Sequence, residues 1–217
     1  MESPEYWPLP GLRLRTGRLE LRLPDAEDLT ALAALAEAGV HDPDVQPFTV
    51  AWTDVEPAER AISTMRYHWS CWASWQPSRW TLNLVTARDG VVVGTQGISA
   101  ADFAVTREVG TGSWVGLRYQ GQGIGRHMRA AVLALAFDGL GAEFAVSAAF
   151  FDNAASLAVS RRLGYTDDGI ERHVVRGQAR ATRRLRLDRA SWQAHRTIDV
   201  TISGLEPCLP FFGAAPS

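Results

Sequence analysis

Residues 113–126 read Ser-Trp-Val-Gly-Leu-Arg-Tyr-Gln-Gly-Gln-Gly-Ile-Gly-Arg. Three glycines, Gly121, Gly123 and Gly125, alternate directly behind a β-prone run and directly ahead of a periodic helical segment. Strand, glycine turn and helix start together present bare backbone N–H groups to an anion. Glycine takes dihedrals closed to other residues and puts no Cβ in the way of a phosphate. The stretch therefore reads as a pyrophosphate cradle. A strand from Glu108 to Leu117 leads into it, and a helix from Ile124 to about Asp138 leads out. Gly110 and Gly112 inside that strand predict a bulge or the close approach of another group to the backbone.

Downstream, Glu143–Phe150 is short and apolar, which suits a buried strand. With the helix between them, the two strands are expected to run parallel with a right-handed crossover. Asp152 or Asn153 caps a further helix ending near Gly164. That helix carries an apolar stripe (Ala155, Val159, Leu163) and a polar one (Asn153, Ser156, Ser160). A hairpin follows, His173–Arg176 with Arg180–Leu187, then a short helix at Ser191–Arg196. Upstream, Leu12, Leu14, Leu19, Leu21 and Leu23 alternate as a bent strand or strand pair. An acidic, capped helix runs to about Glu37, a loop covers His41–Val55, and a helix runs from Pro57 to about Gln76. Trp80–Ala87 and Val91–Ser99 form a hairpin about Asp89-Gly90. One domain is expected over residues 1–196, with residues 1–10 as an arm and 197–217 as an irregular extension.

The chain has 217 residues, a net charge of −2 and 46% hydrophobic residues, and its 22 basic residues are all arginine. This composition gives no overall pull towards nucleic acid or anionic membrane. Two cysteines, Cys71 and Cys208, form neither a metal motif nor a disulfide framework, so a cytoplasmic protein without a metal is expected. No apolar run reaches the ~18 residues of a membrane span.

Spacing narrows what the cradle holds. The dinucleotide fingerprint needs its third glycine three places after the second, and here the pattern is G-x-G-x-G. A phosphate loop of the G-K-[ST] type needs a lysine, and the chain has none. Gln120-Gly121-Gln122-Gly123-Ile124-Gly125 instead resembles the acetyl-CoA motif Q/R-x-x-G-x-G/A of the GNAT superfamily of N-acyltransferases. A second signature is similar too, with Asn153, Ser156, Leu163, Gly164 and Tyr165 in its positions. The resemblance covers roughly Gly11–Trp192. It implies an α/β (α+β) fold: a mixed, mostly antiparallel sheet with one splayed parallel pair, flanked by about four helices. The Asn-x-x-Ser form is most similar to the branch that acylates ribosomal-protein N-termini, and the wider combination resembles an actinobacterial subgroup that includes a succinyl-CoA user.

The resemblance implies acetyl-CoA, or another acyl-CoA such as succinyl-CoA, as donor. The acceptor would be an amine: a protein N-terminus, a lysine side chain or a small molecule. It implies cofactor contacts from Trp114, Val115, Gly116, Gln120, Gly121, Gln122, Gly123, Ile124, Gly125, Arg126, Asn153 and Ser156. Ser160 stands where many members carry a tyrosine as general acid, and Glu108 is the first choice of base. His68 and Trp72, on the second helix, are placed on the acceptor side, with a homodimer left open. Two other readings remain: an acyl-CoA sensor without catalysis, and a ribosome- or nucleic-acid-binding module. The second rests on Arg172, Arg176, Arg180, Arg183, Arg184 and Arg186, which read more simply as a solvated sheet face.

Overall fold

The computed structural model describes residues 5–214. The first four residues of the expected arm and the last three of the tail lie outside them.

One mixed sheet runs through the molecule. Its strands are β1 (Arg13–Thr16), β2 (Leu19–Arg22), β3 (Arg79–Arg88), β4 (Val91–Ala101), β5 (Glu108–Val115), β6 (Phe144–Phe150), β7 (Thr166–Val175), β8 (Gln178–Asp188) and β9 (Thr201–Ser203). They lie in the order β7-β8-β6-β5-β4-β3-β2-β1-β9. Only β5 and β6 are parallel, as the crossover geometry demands. The β3–β4 hairpin turns at Asp89 and Gly90, both with positive φ, the backbone that a two-residue turn of matching twist requires.

Helices cover both faces. On one lie α1 (Ala26–Ala38) and α2 (Pro57–Ala73). Asp25 caps α1 by accepting from the Asp28 N–H, and Arg22 holds the Asp28 carboxylate with two hydrogen bonds of 2.6 and 2.9 Å. α1 packs Leu32 and Leu35 with Val85, Val92 and Trp114. A single helical turn, α3 (Phe103–Thr106), joins β4 to β5. On the other face α4 (Ile124–Ala134) is buried along its whole length from Met128, so it is covered on more than one side, and it ends in a π turn at Leu135–Gly139. α5 (Ala154–Arg162) and α6 (Arg189–His195) complete the set. α6 is the short helix expected at Ser191–Arg196, and α3 adds to the helices expected.

Three expectations of detail differ. β7 begins at Thr166, seven residues before the expected start, because a register shift at Asp167/Ile170 interrupts the local alternation. The tail is not irregular throughout. Thr201–Ser203 pairs with β1 as a ninth strand, and a 3-10 turn at Glu206–Phe212 docks on Trp75 and Trp80. The two indoles donate to the carbonyls of Phe211 and Phe212 at 2.9 and 3.1 Å. α2 ends at Ala73, short of the expected Gln76, so Trp75 lies beyond the helix in the core, while on the helix Trp72 is half-buried against that core and Trp69 is exposed.

Candidate active site

The parallel pairing of β5 and β6 lasts only from Glu108↔Phe144 to Gly110↔Val146. β5 then stays with β4 as far as Val115, while β6 continues along β8. A wedge opens between them. Gly116 N–H pairs across to Val93 of β4, and the Thr111 carbonyl accepts from Ser147 Oγ of β6. Strand alternation then turns the N–H and C=O groups of Ser113 and the N–H of Val115 into the wedge, the Val115 carbonyl being taken by Gln120. This is an unpaired strand edge inside a protein, open to pairing by an extended ligand.

The cradle stands at the mouth of the wedge. Gly121 and Gly123 have φ of 72° and 79°. A Cβ built at Gly121, Gly123 or Gly125 meets no atom within 4 Å, so the space over the turn is open. No side chain caps α4 and no acid lies in its first turn. Its leading N–H groups and positive dipole end are thus free for an anion. Ile124 is buried and anchors the turn. The neighbouring side chains do structural work. Gln120 donates to the Val40 and Val115 carbonyls at 2.8 and 2.9 Å, fixing the end of β5 against the end of α1. Gln122 Oε1 accepts from Arg88 at 2.6 Å, and Gly116 packs on Leu35. Arg126 reaches Thr197 Oγ1 at 2.6 Å, away from the turn, while its Nε has no partner among the described residues.

α5 meets the same wedge. Asn153 caps it, accepting from Ser156 N–H at 3.1 Å. Among the described residues no group engages the Ser156 hydroxyl. Ser160 is fully buried, and its hydroxyl donates to the Ser156 carbonyl at 3.1 Å. It also accepts from Arg129 Nη1 of α4 at 2.9 Å. Its single proton is thereby committed to a carbonyl, a different setting from the free donor expected. Tyr165, also buried, places its hydroxyl 3.4 Å from Thr111 Oγ1, just past the last parallel pair. Burial pushes its pKa up, and the Arg129 charge pulls against that.

On the α1/α2 face, Glu108 lines a cavity of about 500 Å3 with Thr81, Ser99, Gly110 and Val146. Its Oε2 is held by Arg186 at 2.5 Å. Asn83, Gly97 and Gly112 are direct cross-strand partners and share this face, and a Cβ at Gly112 would enter open space. α2 covers it with Thr64, His68 and Cys71 turned inward, and Cys71 Sγ accepts from Asn83 Nδ2 at 3.2 Å. His68 is 1% exposed and its Nδ1 has no partner among the described residues. Burial pushes its pKa down to about 4, so the imidazole is neutral at pH 7. Trp72, by contrast, packs on the core.

The loop at residues 39–56 arches over this face. Its rings run His41, Phe48, Trp52 to Trp114, each within 6 Å of the next. Its far side is tied to the β7–β8 hairpin: Arg176 to Asp54, and Arg180 to the Gln46 carbonyl at 2.9 Å. Sequence reasoning missed these ties, because nothing local marks partners more than 120 residues apart. In the same hairpin Arg180, Arg183, Arg184 and Arg186 pair with Asp152, Asp167, Asp168 and Glu108. The arginine row is thus matched by carboxylates.

Residues 18–166 match the model of the acetyltransferase (GNAT) domain. The chain belongs to the GNAT acetyltransferase family. Among solved structures it is similar to Mycobacterium smegmatis RimJ in complex with CoA-disulfide, with 20% identity, a TM-score of 0.71, and 94% of this chain and 95% of that one covered. It is similar to the ribosomal α-N-protein acetyltransferase RimL in complex with coenzyme A, with 18% identity, a TM-score of 0.67, and 81% and 97% covered. A ribosomal-protein-alanine acetyltransferase from Vibrio fischeri matches at 15% identity and a TM-score of 0.64, with 83% and 98% covered. At these identities the likeness is one of fold.

In this GNAT chain the wedge leaves part of the β5 edge without a strand partner. The cradle offers uncapped N–H groups with empty space above three glycines, where side chains would intrude. Among the described residues no group of His, Cys, Asp and Glu is arranged to hold a metal ion, and no helix is long and apolar enough to cross a membrane.

Proposed function

We propose that the chain is an acyl-CoA-dependent N-acyltransferase that moves an acetyl group directly from the CoA thioester to a primary amine, with no covalent enzyme intermediate. The observation that carries this is the wedge beyond Gly110↔Val146, with the β5 edge turned into it and the uncapped glycine turn at its mouth. Bound acyl-CoA supplies the activated carbonyl; the protein supplies position and proton handling.

The N–H groups from Gly121 to Gly125 hold the pyrophosphate, and the odd residues of β5 pair with the pantetheine amides. Trp114, Val115 and Gly116 shape the β5 edge beside the cradle, and the Ser113 N–H, which alternation turns into the wedge nearer its apex, polarises the carbonyl. Gln120, Gln122 and Asn153 keep turn and helix in shape, while Arg126 adds positive charge beside them. Glu108, fixed by Arg186 through Oε2, takes the amine proton on Oε1. Ser156, whose hydroxyl has no partner among the described residues, relays a proton from water to the sulfur in place of the committed Ser160. His68 forms a neutral wall of the acceptor space.

The fold likeness to ribosomal-protein acetyltransferases favours a protein N-terminus as acceptor over lysine or a small amine. Acetyl is the first donor and succinyl the second. Two buried, free cysteines support a reducing, cytoplasmic setting. Thiol release from acetyl-CoA and succinyl-CoA, measured against N-terminal peptides, lysine peptides and small amines, tests the proposal. Release must depend on the amine. Tight CoA binding with no amine-dependent release favours a sensor.

A further inference from the structure

Arg129 carries a charge that the protein itself does not match. It lies in α4 among Met128, Ala130 and Ala131, all buried, and is 6% exposed. Among the described residues its one hydrogen bond is to the neutral Ser160 hydroxyl, and its Nε has no partner. No carboxylate among them forms an ion pair with it, although twelve arginine–carboxylate pairs occur elsewhere among these residues. A buried guanidinium with only a hydroxyl for company destabilises the fold, because its lost hydration is not repaid by a counter-charge. Burial pulls its pKa down, and the Tyr165 phenol is the one titratable group whose charge acts on it.

Its position gives that cost a purpose. Ser160 belongs to the polar stripe of α5. The Tyr165 hydroxyl touches Thr111, the first residue of β5 beyond the last parallel pair. Arg129, Ser160, Tyr165 and Thr111 thus link α4, α5 and the apex of the wedge, on the opposite face from Glu108. An anion that arises at that apex only during reaction would supply the missing counter-charge. Acyl transfer makes one. As the amine nitrogen bonds to the carbonyl carbon, the C–S bond breaks and its electron pair goes to sulfur. The amine proton goes to the base on the other face.

We propose that Arg129 is the cation that stabilises the coenzyme A thiolate as it forms, with Ser160 orienting its guanidinium. This rests on the placement of coenzyme A in the wedge. It assigns Ser160 a positioning role and accounts for its committed proton. The guanidinium stays protonated throughout, and the thiolate takes its proton afterwards from water through the Ser156 hydroxyl, which gives up one proton as it accepts another.

The test uses the full chain with coenzyme A and with desulfo-coenzyme A, which lacks the sulfur. The ultraviolet absorbance of the bound thiolate is followed across pH, and both affinities are measured by calorimetry. In Arg129→Met the bound thiol pKa should rise by about 1–3 units. Above that pKa in the wild type, coenzyme A should bind at least about tenfold more weakly to the variant for each unit, with desulfo-coenzyme A unchanged. The unliganded variant should also melt at or above the wild-type temperature, since an uncompensated buried charge has been removed. Ser160→Ala, a milder change, should raise the thiol pKa by a smaller amount and likewise spare desulfo-coenzyme A; it serves where Arg129→Met does not fold. An unchanged thiol pKa in both variants, or equal losses of both ligands, overturns the proposal. If neither ligand binds the wild type, it is the acyl-CoA reading itself that fails.

Discussion

Arg176 grips Asp54 through two hydrogen bonds, Nε to Oδ2 at 2.6 Å and Nη2 to Oδ1 at 2.7 Å, across 122 residues of sequence. Parallel bonds of this kind fix geometry as well as distance. Here they join the α1–α2 loop to the β7–β8 hairpin and so set the height of the roof over the acceptor face. Arg176→Ala is expected to raise KM for the amine severalfold while leaving the CoA dissociation constant unchanged. Steady-state kinetics with each substrate varied, beside CoA calorimetry, makes the comparison. Arg176 also holds the Asp54 carboxyl below its ordinary value. A depressed carboxyl pKa means the tie is complete at neutral pH and is lost only as pH falls through that lowered value.

Glu108 is the one carboxylate lining the cavity beside the parallel pair. Glu108→Gln keeps the shape and removes the base. It should lower kcat by about 10²–10⁴-fold, with little change in KM for acyl-CoA. A pH–rate profile that keeps its acid limb in the variant would assign the base elsewhere.

Ser156→Ala should lower kcat without weakening CoA binding, since its hydroxyl is free while the Asn153 cap bonds only the Ser156 backbone. Leaving groups more acidic than the CoA thiol should restore much of the lost rate. Equal losses with every leaving group would point to a packing role.

His68 makes stability depend on pH. Its folded pKa of about 4 lies below the imidazole's 6.5, so between the two the unfolded chain binds more protons. Stability is therefore full above 6.5 and falls as pH drops from 6.5 to 4, by about 3 kcal/mol at most, then levels off. Denaturant titrations of the wild type and His68→Gln across this range should differ in slope, the variant being flatter.

The glycine turn and the polar stripe of α5 were legible in the sequence because their determinants are local. Gly121, Gly123 and Gly125 act through backbone within five residues, and Asn153, Ser156 and Ser160 share one helix face. The parallel pair followed from connectivity. What escaped is long-range. β9 is three residues long and has meaning only beside β1, and Asp54 and Arg176 carry no mark of each other. Arg129 hid among 22 arginines, where an arginine in a helix reads as solvated surface. Only packing on both sides of α4 reveals it as buried. The place of Trp75, just beyond α2, likewise depends on the tail, whose Phe211 and Phe212 hold it in the core.

A left-handed glycine at the mouth of the wedge decides whether the cofactor site exists. Gly123 has φ of 79° and open space where a side chain would go. Calorimetric titration of the protein with acetyl-CoA, repeated on Gly123→Glu with its fold checked by circular dichroism, tests this most directly. One acetyl-CoA should bind per chain in the wild type, with no measurable binding in the folded variant. No binding to the wild type, or equal binding to both, would contradict the account.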